Sequence, residues 1–174
     1  MKKGFLFLAT SFAFVFFVLP STSEAYFTTA QSAEMLSDGK GILYSVTYDF
    51  GTEKYDLIMP IVPERNGARE TQTRTMTYTF VDEDNRESMM GESLGVVVSD
   101  AEIRDGYYFV PKGEARRFTL ITLLKLPQTL VYEPFDLSLL VTNLPFILEH
   151  AGEANENQLN PSELQYYRTP SVSN

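Results

Sequence analysis

The sequence predicts an all-β fold, an antiparallel sandwich of about seven to nine strands behind an N-terminal export signal. Three observations carry the prediction. Apolar and polar residues alternate with a period of two through most of the chain, turn-forming residues recur at short intervals between those runs, and no segment keeps a convincing helical period. The chain has 174 residues, enough for one hydrophobic core, and contains neither cysteine nor tryptophan.

The first segment reads as a leader. Lys2 and Lys3 supply a positive start, residues 4–19 form an apolar run in which Thr10 and Ser11 are the polar positions, and Pro20 breaks it. Ser23-Glu24-Ala25 then places small residues where a signal peptidase cuts, so cleavage is expected after Ala25 and the mature chain at Tyr26. The run is short of the roughly 20 apolar residues a spanning helix needs; an uncleaved anchor is the alternative to a cleaved signal, the flanks match the cleavable kind, and no membrane span is expected after cleavage. The expected organisation is a signal peptide over 1–25, a β-sandwich domain over 26–148, and a polar C-terminal tail with a short helix over 149–174.

The formal net charge is −9, and removing Lys2, Lys3 and Glu24 makes the mature chain more acidic still. That balance argues against nucleic acid and anionic lipid as partners and favours cations or basic surfaces. Export without cysteine excludes a lipoprotein anchor, a thiolate metal site, a disulfide framework and a cysteine nucleophile. It fits an extracellular or periplasmic protein of a bacterial cell envelope.

In chain order, Tyr26 to Ala30 reads as a first edge strand or a free arm, and Ser37-Asp38-Gly39-Lys40-Gly41 as a turn. Ile42 to Phe50 is the cleanest strand: Ile42, Tyr44, Val46, Tyr48 and Phe50 lie on one face and Ser45, Thr47 and Asp49 on the other. Tyr55 to Ile61 repeats the period, and Pro60 and Pro63 put it at an edge or end it there. From Thr71 to Val81, Met76, Tyr78 and Phe80 point inward while Thr71, Thr73, Thr75, Thr77 and Thr79 form an outward row. Leu94 to Val98 and Tyr107 to Val110 are short strands separated by acidic connections. The two longest, Ala115 to Leu126 and Asp136 to Ile147, are apolar on both faces and are expected at the centre of packed sheets. Glu149 to Asn160 reads as a loop, Asn160-Pro161-Ser162-Glu163 as a capped helix start, and Thr169 to Asn174 as a frayed end.

The run Tyr107-Tyr108-Phe109-Val110-Pro111-Lys112-Gly113, then Phe118-Thr119-Leu120, then Leu137-Ser138-Leu139-Leu140-Val141-Thr142 resembles the later half of bacterial immunoglobulin-like and fibronectin-III-like sandwiches. The antibody-type cysteine pair and tryptophan are missing. The resemblance implies an immunoglobulin-like scaffold used for adhesion, spacing or assembly, and brings no catalytic residue.

His150 is the one histidine, and no Gly-x-Ser-x-Gly elbow accompanies it. No catalytic site is therefore expected, and the chain is not read as an enzyme. Asp82, Asp84, Asn85 and Glu87 in one loop, with Asp100, Glu102 and Asp105 in the next, are candidate oxygen ligands for calcium, although the EF-hand spacing is absent. Tyr26, Phe27, Tyr107, Tyr108, Tyr166 and Tyr167 are candidate interaction residues, since consecutive aromatics cannot all face one core. The expected function is a secreted, non-catalytic β-sandwich with a structural or adhesion-type binding role, its partner a protein or cell-surface component, which includes a copy of itself. One alternative is a self-assembling surface or filament subunit joined by strand addition. A lesser one is a calcium-dependent carbohydrate-binding module.

Overall fold

A computed structural model of the chain describes residues 24–66, 75–127 and 134–174, with side chains from Thr28 onward. The leader up to Ser23 and the threonines at 71 and 73 lie outside the described residues. In chain order the strands are β1 (Glu24–Met35), β2 (Gly41–Thr52), β3 (Asp56–Pro60), β4 (Pro63–Arg65), β5 (Met76–Val81), β6 (Glu87–Ser88), β7 (Glu92–Ser99), β8 (Glu102–Arg104), β9 (Tyr107–Val110), β10 (Glu114–Lys125), β11 (Asp136–Asn143), β12 (Pro145–His150), β13 (Glu153–Gln158) and β14 (Val172–Ser173), with one helical turn, α1 (Pro161–Leu164). The fold is all-β, as the alternation predicts. Four strands, β4, β6, β8 and β14, are only two or three residues long, too short for a period to reveal them. Among the described residues no helix is long and apolar enough to cross a membrane.

The strands form three sheets. The first has the order β1-β2-β10-β7, the second β14-β11-β5-β4 with β6 also on β5, and the third β13-β12-β3-β9-β8. All pairs are antiparallel except β4–β5. The first two sheets face each other across the core: Tyr44 of β2 packs on Phe80 of β5 with ring centroids 5.3 Å apart, and its hydroxyl donates to the Leu137 carbonyl at 3.1 Å. Tyr48 stacks on Phe118 at 5.7 Å and meets Tyr167 at 5.4 Å. Burial pushes the phenols of Tyr44, Tyr48 and Tyr167 well above their ordinary range, so all three stay neutral in the core.

A bend joins the first sheet to the third. The β2–β10 ladder runs from Gly41↔Lys125 to Thr52↔Glu114, and the same two chain segments pair again as β3–β9, from Leu57↔Val110 to Pro60↔Tyr107. At the corner the Gly113 N–H donates to the Thr52 carbonyl at 2.7 Å and the Lys112 N–H to Asp56 Oδ1 at 2.8 Å. The Thr52 hydroxyl accepts from the Tyr55 N–H at 2.9 Å. The second sheet continues in the same way, because β11 passes through Leu144 directly into β12. Pro60 ends β3 as expected, but β3 lies between β12 and β9 rather than at an edge.

The alternation of β2 is realised in full: Ile42, Tyr44, Val46, Tyr48 and Phe50 are all completely buried. On β5 the inward residues Met76, Tyr78 and Phe80 are buried, but so are Thr77 and Thr79, which the sequence places in a solvent-facing row. Their hydroxyls are satisfied internally, Thr77 by Thr142 at 2.8 Å and Thr79 by the Glu87 carboxylate, and a satisfied hydroxyl costs little to bury.

The tail also departs from expectation. Glu153–Gln158, read as loop, is strand β13, turned back on β12 at Ala151-Gly152, where both φ values are positive (53° and 84°). All six of its residues are exposed, so it leaves no apolar signal. The helix start is as read, with a full capping box between Asn160 and Glu163 and Pro161 in the first turn. The segment expected to fray is held: the Thr169 N–H donates to the Leu139 carbonyl at 3.0 Å, and Val172 pairs with Leu137.

Candidate functional site

Among the described residues, the first sheet turns one face to the core and leaves large hydrophobic side chains exposed on the other. Register places Leu94, Leu123, Leu43 and Glu34 in one row across its other face, Val96, Ile121, Ser45 and Ser32 in the next, and Val98, Thr119 and Thr47 in a third. Residues directly opposite on neighbouring strands share a face. Leu94 is 70% exposed, Val98 51% and Val96 45%, with Leu43 and Leu123 at 38%. These are five of the ten exposed large hydrophobic residues among the described ones, so they form a patch rather than a scatter.

Polar groups frame the patch. At one end Glu92 stands opposite Lys125. At the other, Arg117 grips Asp49 with two parallel bonds, Nε to Oδ1 at 2.8 Å and Nη2 to Oδ2 at 3.0 Å, and this hydrogen bonding holds the Asp49 carboxyl below its ordinary range. The hydroxyls of Thr47 and Thr119 meet at 3.1 Å in the row between. An open groove of about 600 Å³ continues the surface past Val98, lined by Asp49, Asp100, Arg116, Arg117 and Thr119.

β7 is the terminal strand of its sheet, and its inner side is covered. The Tyr108 hydroxyl donates to the Val97 carbonyl at 3.0 Å, and the Tyr78 hydroxyl lies 3.1 Å from Ser93 Oγ. Gly95 sits so close to Tyr78 and Pro63 that a Cβ would fall 2.9–3.0 Å from them. These inner contacts occupy one side of β7 and leave Leu94, Val96 and Val98 pointing out.

The candidate calcium ligands are not brought together. Asp82, Asp84, Asn85 and Glu87 lie before β7, and Asp100, Glu102 and Asp105 after it. An eight-residue strand holds its two ends roughly 24 Å apart. Internal partners occupy several of these oxygens: Asp82 Oδ1 accepts from the Arg86 N–H at 2.8 Å, Asp84 pairs with Arg86 at 3.0 Å, and Glu102 pairs with Arg104 at 2.7 Å. Among the described residues no group of three or more His, Cys, Asp or Glu is placed to hold a metal ion. His150 is exposed at the end of β12, edge-on to the Tyr55 ring at 5.8 Å.

The candidate interaction aromatics divide. Tyr108 (5% exposed) and Tyr167 (2%) are core residues, a correction to the expectation that they serve an interaction surface, whereas Tyr166 is 64% exposed. Tyr107 and Tyr108 are consecutive residues of β9 and so point to opposite faces, whereas Tyr166 and Tyr167 lie in the turn after α1, where the Tyr167 N–H donates to the Leu164 carbonyl at 2.9 Å. Tyr107 is half-buried beside Pro60 at the end of the β3–β9 ladder. Tyr26 and Phe27 lie in β1 opposite Phe50 and Asp49. The patch itself was missed in the sequence, although its signal was present: Leu94, Val96 and Val98 in alternation, and Ile121 and Leu123 on the second face of β10.

The chain matches no protein-family profile, no curated protein and no solved structure.

Proposed function

We propose that this chain is a secreted, non-catalytic β-sandwich with an adhesion-type binding role at or outside a bacterial cell envelope, and that it binds through the open face of the β1-β2-β10-β7 sheet. The observation that carries this is the framed apolar patch on an acidic protein. Exposed Leu and Val in register across three strands give up apolar burial that a partner would recover, at about 25 cal/mol per Å². The leader pattern of residues 1–25 supports export. The immunoglobulin-like resemblance supports a scaffold role.

The test is co-sedimentation of the mature chain with envelope fragments of the cells that make it. Leu94→Glu combined with Val96→Glu should lower the bound fraction about tenfold while changing stability by no more than about 0.5 kcal/mol, since both side chains face solvent. A double variant that sediments like the unaltered chain would remove the patch from the mechanism. Mass spectrometry of the exported protein should find Tyr26 at its N-terminus.

A second reading, a self-assembling subunit joined by strand addition, is favoured by one observation. None of the residues from Thr28 to Met35 in β1 is fully buried, so this edge strand is held mainly by its backbone ladder with β2, a mode that accepts an equivalent strand from another copy. Light scattering over a range of concentrations should then show a mass that grows, and deletion of Tyr26 to Ala30 should abolish the growth. A constant single-chain mass would eliminate this reading.

A further inference from the structure

Every arginine that forms an ion pair among the described residues, namely Arg86, Arg104, Arg116 and Arg117, has a carboxylate as partner. Arg168 takes part in none of these pairs. Its Nη1 donates to the Asn85 side-chain carbonyl, and its Nη2 to the Asp82 main-chain carbonyl and to Ser138 Oγ, both at 3.2 Å. All three acceptors are neutral. They fix the guanidinium in one orientation without cancelling its charge, and its fork has more N–H groups than these bonds use.

This arginine forms one wall of an open cleft of about 300 Å³ between β11 and α1. Leu140 and Pro161 supply its apolar walls and the nearly buried Leu164 its floor, while Asn85 stands beside the arginine and Thr142 and Gln165 complete the rim. Ligand sites take this form: apolar walls with a few placed polar groups, in volumes from about 300 Å³ upward. The space here suits a ring or short chain together with the arm that carries a charged group to Arg168.

We infer that the cleft between β11 and α1 binds a small organic carboxylate with an apolar body, the carboxylate on Arg168 and the body against Leu164 and Leu140. An oriented guanidinium matches a planar carboxylate through paired N–H···O bonds. The acidic surface repels anions at long range, so the site selects by contact rather than by steering, and moderate salt should not weaken binding as it would in a basic protein. This site is independent of the sheet face proposed above.

The probe is 3-phenylpropionate, titrated into the protein and followed by NMR shifts or calorimetry. Acetate lacks the body and 3-phenylpropanol lacks the charge, and each should bind at least about tenfold more weakly. Arg168→Gln should lose binding by at least the same factor. Because that change also cuts the tie to the Asp82–Asn85 turn, Asn85→Asp is the decisive variant. Asn85 has φ of 62°, which aspartate tolerates nearly as well, and the new carboxylate would neutralise Arg168 while keeping its contact. Asn85→Asp should fold normally and bind at least about tenfold more weakly. Absence of saturable binding by 3-phenylpropionate, equal binding of the alcohol, or undiminished binding to Asn85→Asp would each overturn the inference.

Discussion

Gly51→Ala is expected to cost the fold more than about 3 kcal/mol. A Cβ on Gly51 would lie 2.2 Å from the Glu114 carbonyl oxygen, 2.7 Å from Ala115 Cα and 2.9 Å from Ala115 Cβ. Two of those atoms are backbone and the third is fixed to it, so no side-chain rotation relieves the overlap. The pair Gly51↔Ala115 sits near the last rung of the β2–β10 ladder, next to the bond from the Gly113 N–H to the Thr52 carbonyl that turns the corner. Separating the strands there would strip hydrogen bonds from the bend that carries both into the third sheet. Gly113 provides the control: its φ is 78° and nothing lies within 4 Å of its Cβ position. Gly113→Ala should therefore cost only backbone strain of about 1–2 kcal/mol. The order of the two urea midpoints decides the matter. A smaller loss at Gly51 than at Gly113 would show that close approach of the strands does not hold the corner.

Arg65→Ala is the second large effect, about 3 kcal/mol or a fall of about 6–12 °C in Tm. Arg65 belongs to the three-residue β4, whose pairing with β5 is parallel and short. Its guanidinium reaches the segment that leads into β7, donating from Nη1 to the Gly91 carbonyl at 2.8 Å and from Nη2 to the Ser88 and Met90 carbonyls at 2.7 and 3.2 Å. It also lies 4.9 Å from the centre of the Phe80 ring. Alanine would leave three part-buried carbonyls without this donor and open space over Phe80. Arg65→Lys keeps the charge but cannot reach three divergent carbonyls with one ammonium, so it should fall between the two. Equal melting temperatures for the lysine and alanine variants would mean that the forked geometry contributes nothing.

Local signals were legible in the sequence and held. The period of two in Ile42 to Phe50 became a fully buried row, and Asn160, Pro161 and Glu163 became a capped helical turn. Both depend on neighbours along the chain. What escaped depends on neighbours across it. β13 is a strand with six exposed residues, formed because β12 offers it a backbone ladder. Thr77 and Thr79 carry the composition of a solvent face and are buried, because Thr142 and Glu87 arrive from elsewhere to satisfy them. The acidic loops looked adjacent because few residues separate them, yet those residues form an extended strand that holds them apart.

β10 shows where the limit falls. Its sequence is apolar on both faces, and it lies centrally in its sheet, between β2 and β7. Phe118, Leu120 and Leu124 are buried, while Leu123 on the other face is 38% exposed. Alternation determines how side chains divide between two faces, because successive Cβ atoms point to opposite sides of a strand. It cannot determine whether a second layer covers each face, since that layer comes from residues distant in the chain. The sequence by itself therefore determined an all-β chain, its longer strands and its one helical cap. The tertiary structure alone decided that the face bearing Leu94, Val96 and Val98 is exposed among the described residues, and that Arg168 meets the cleft beside Leu140 and α1, because both result from packing between distant segments rather than from any local pattern.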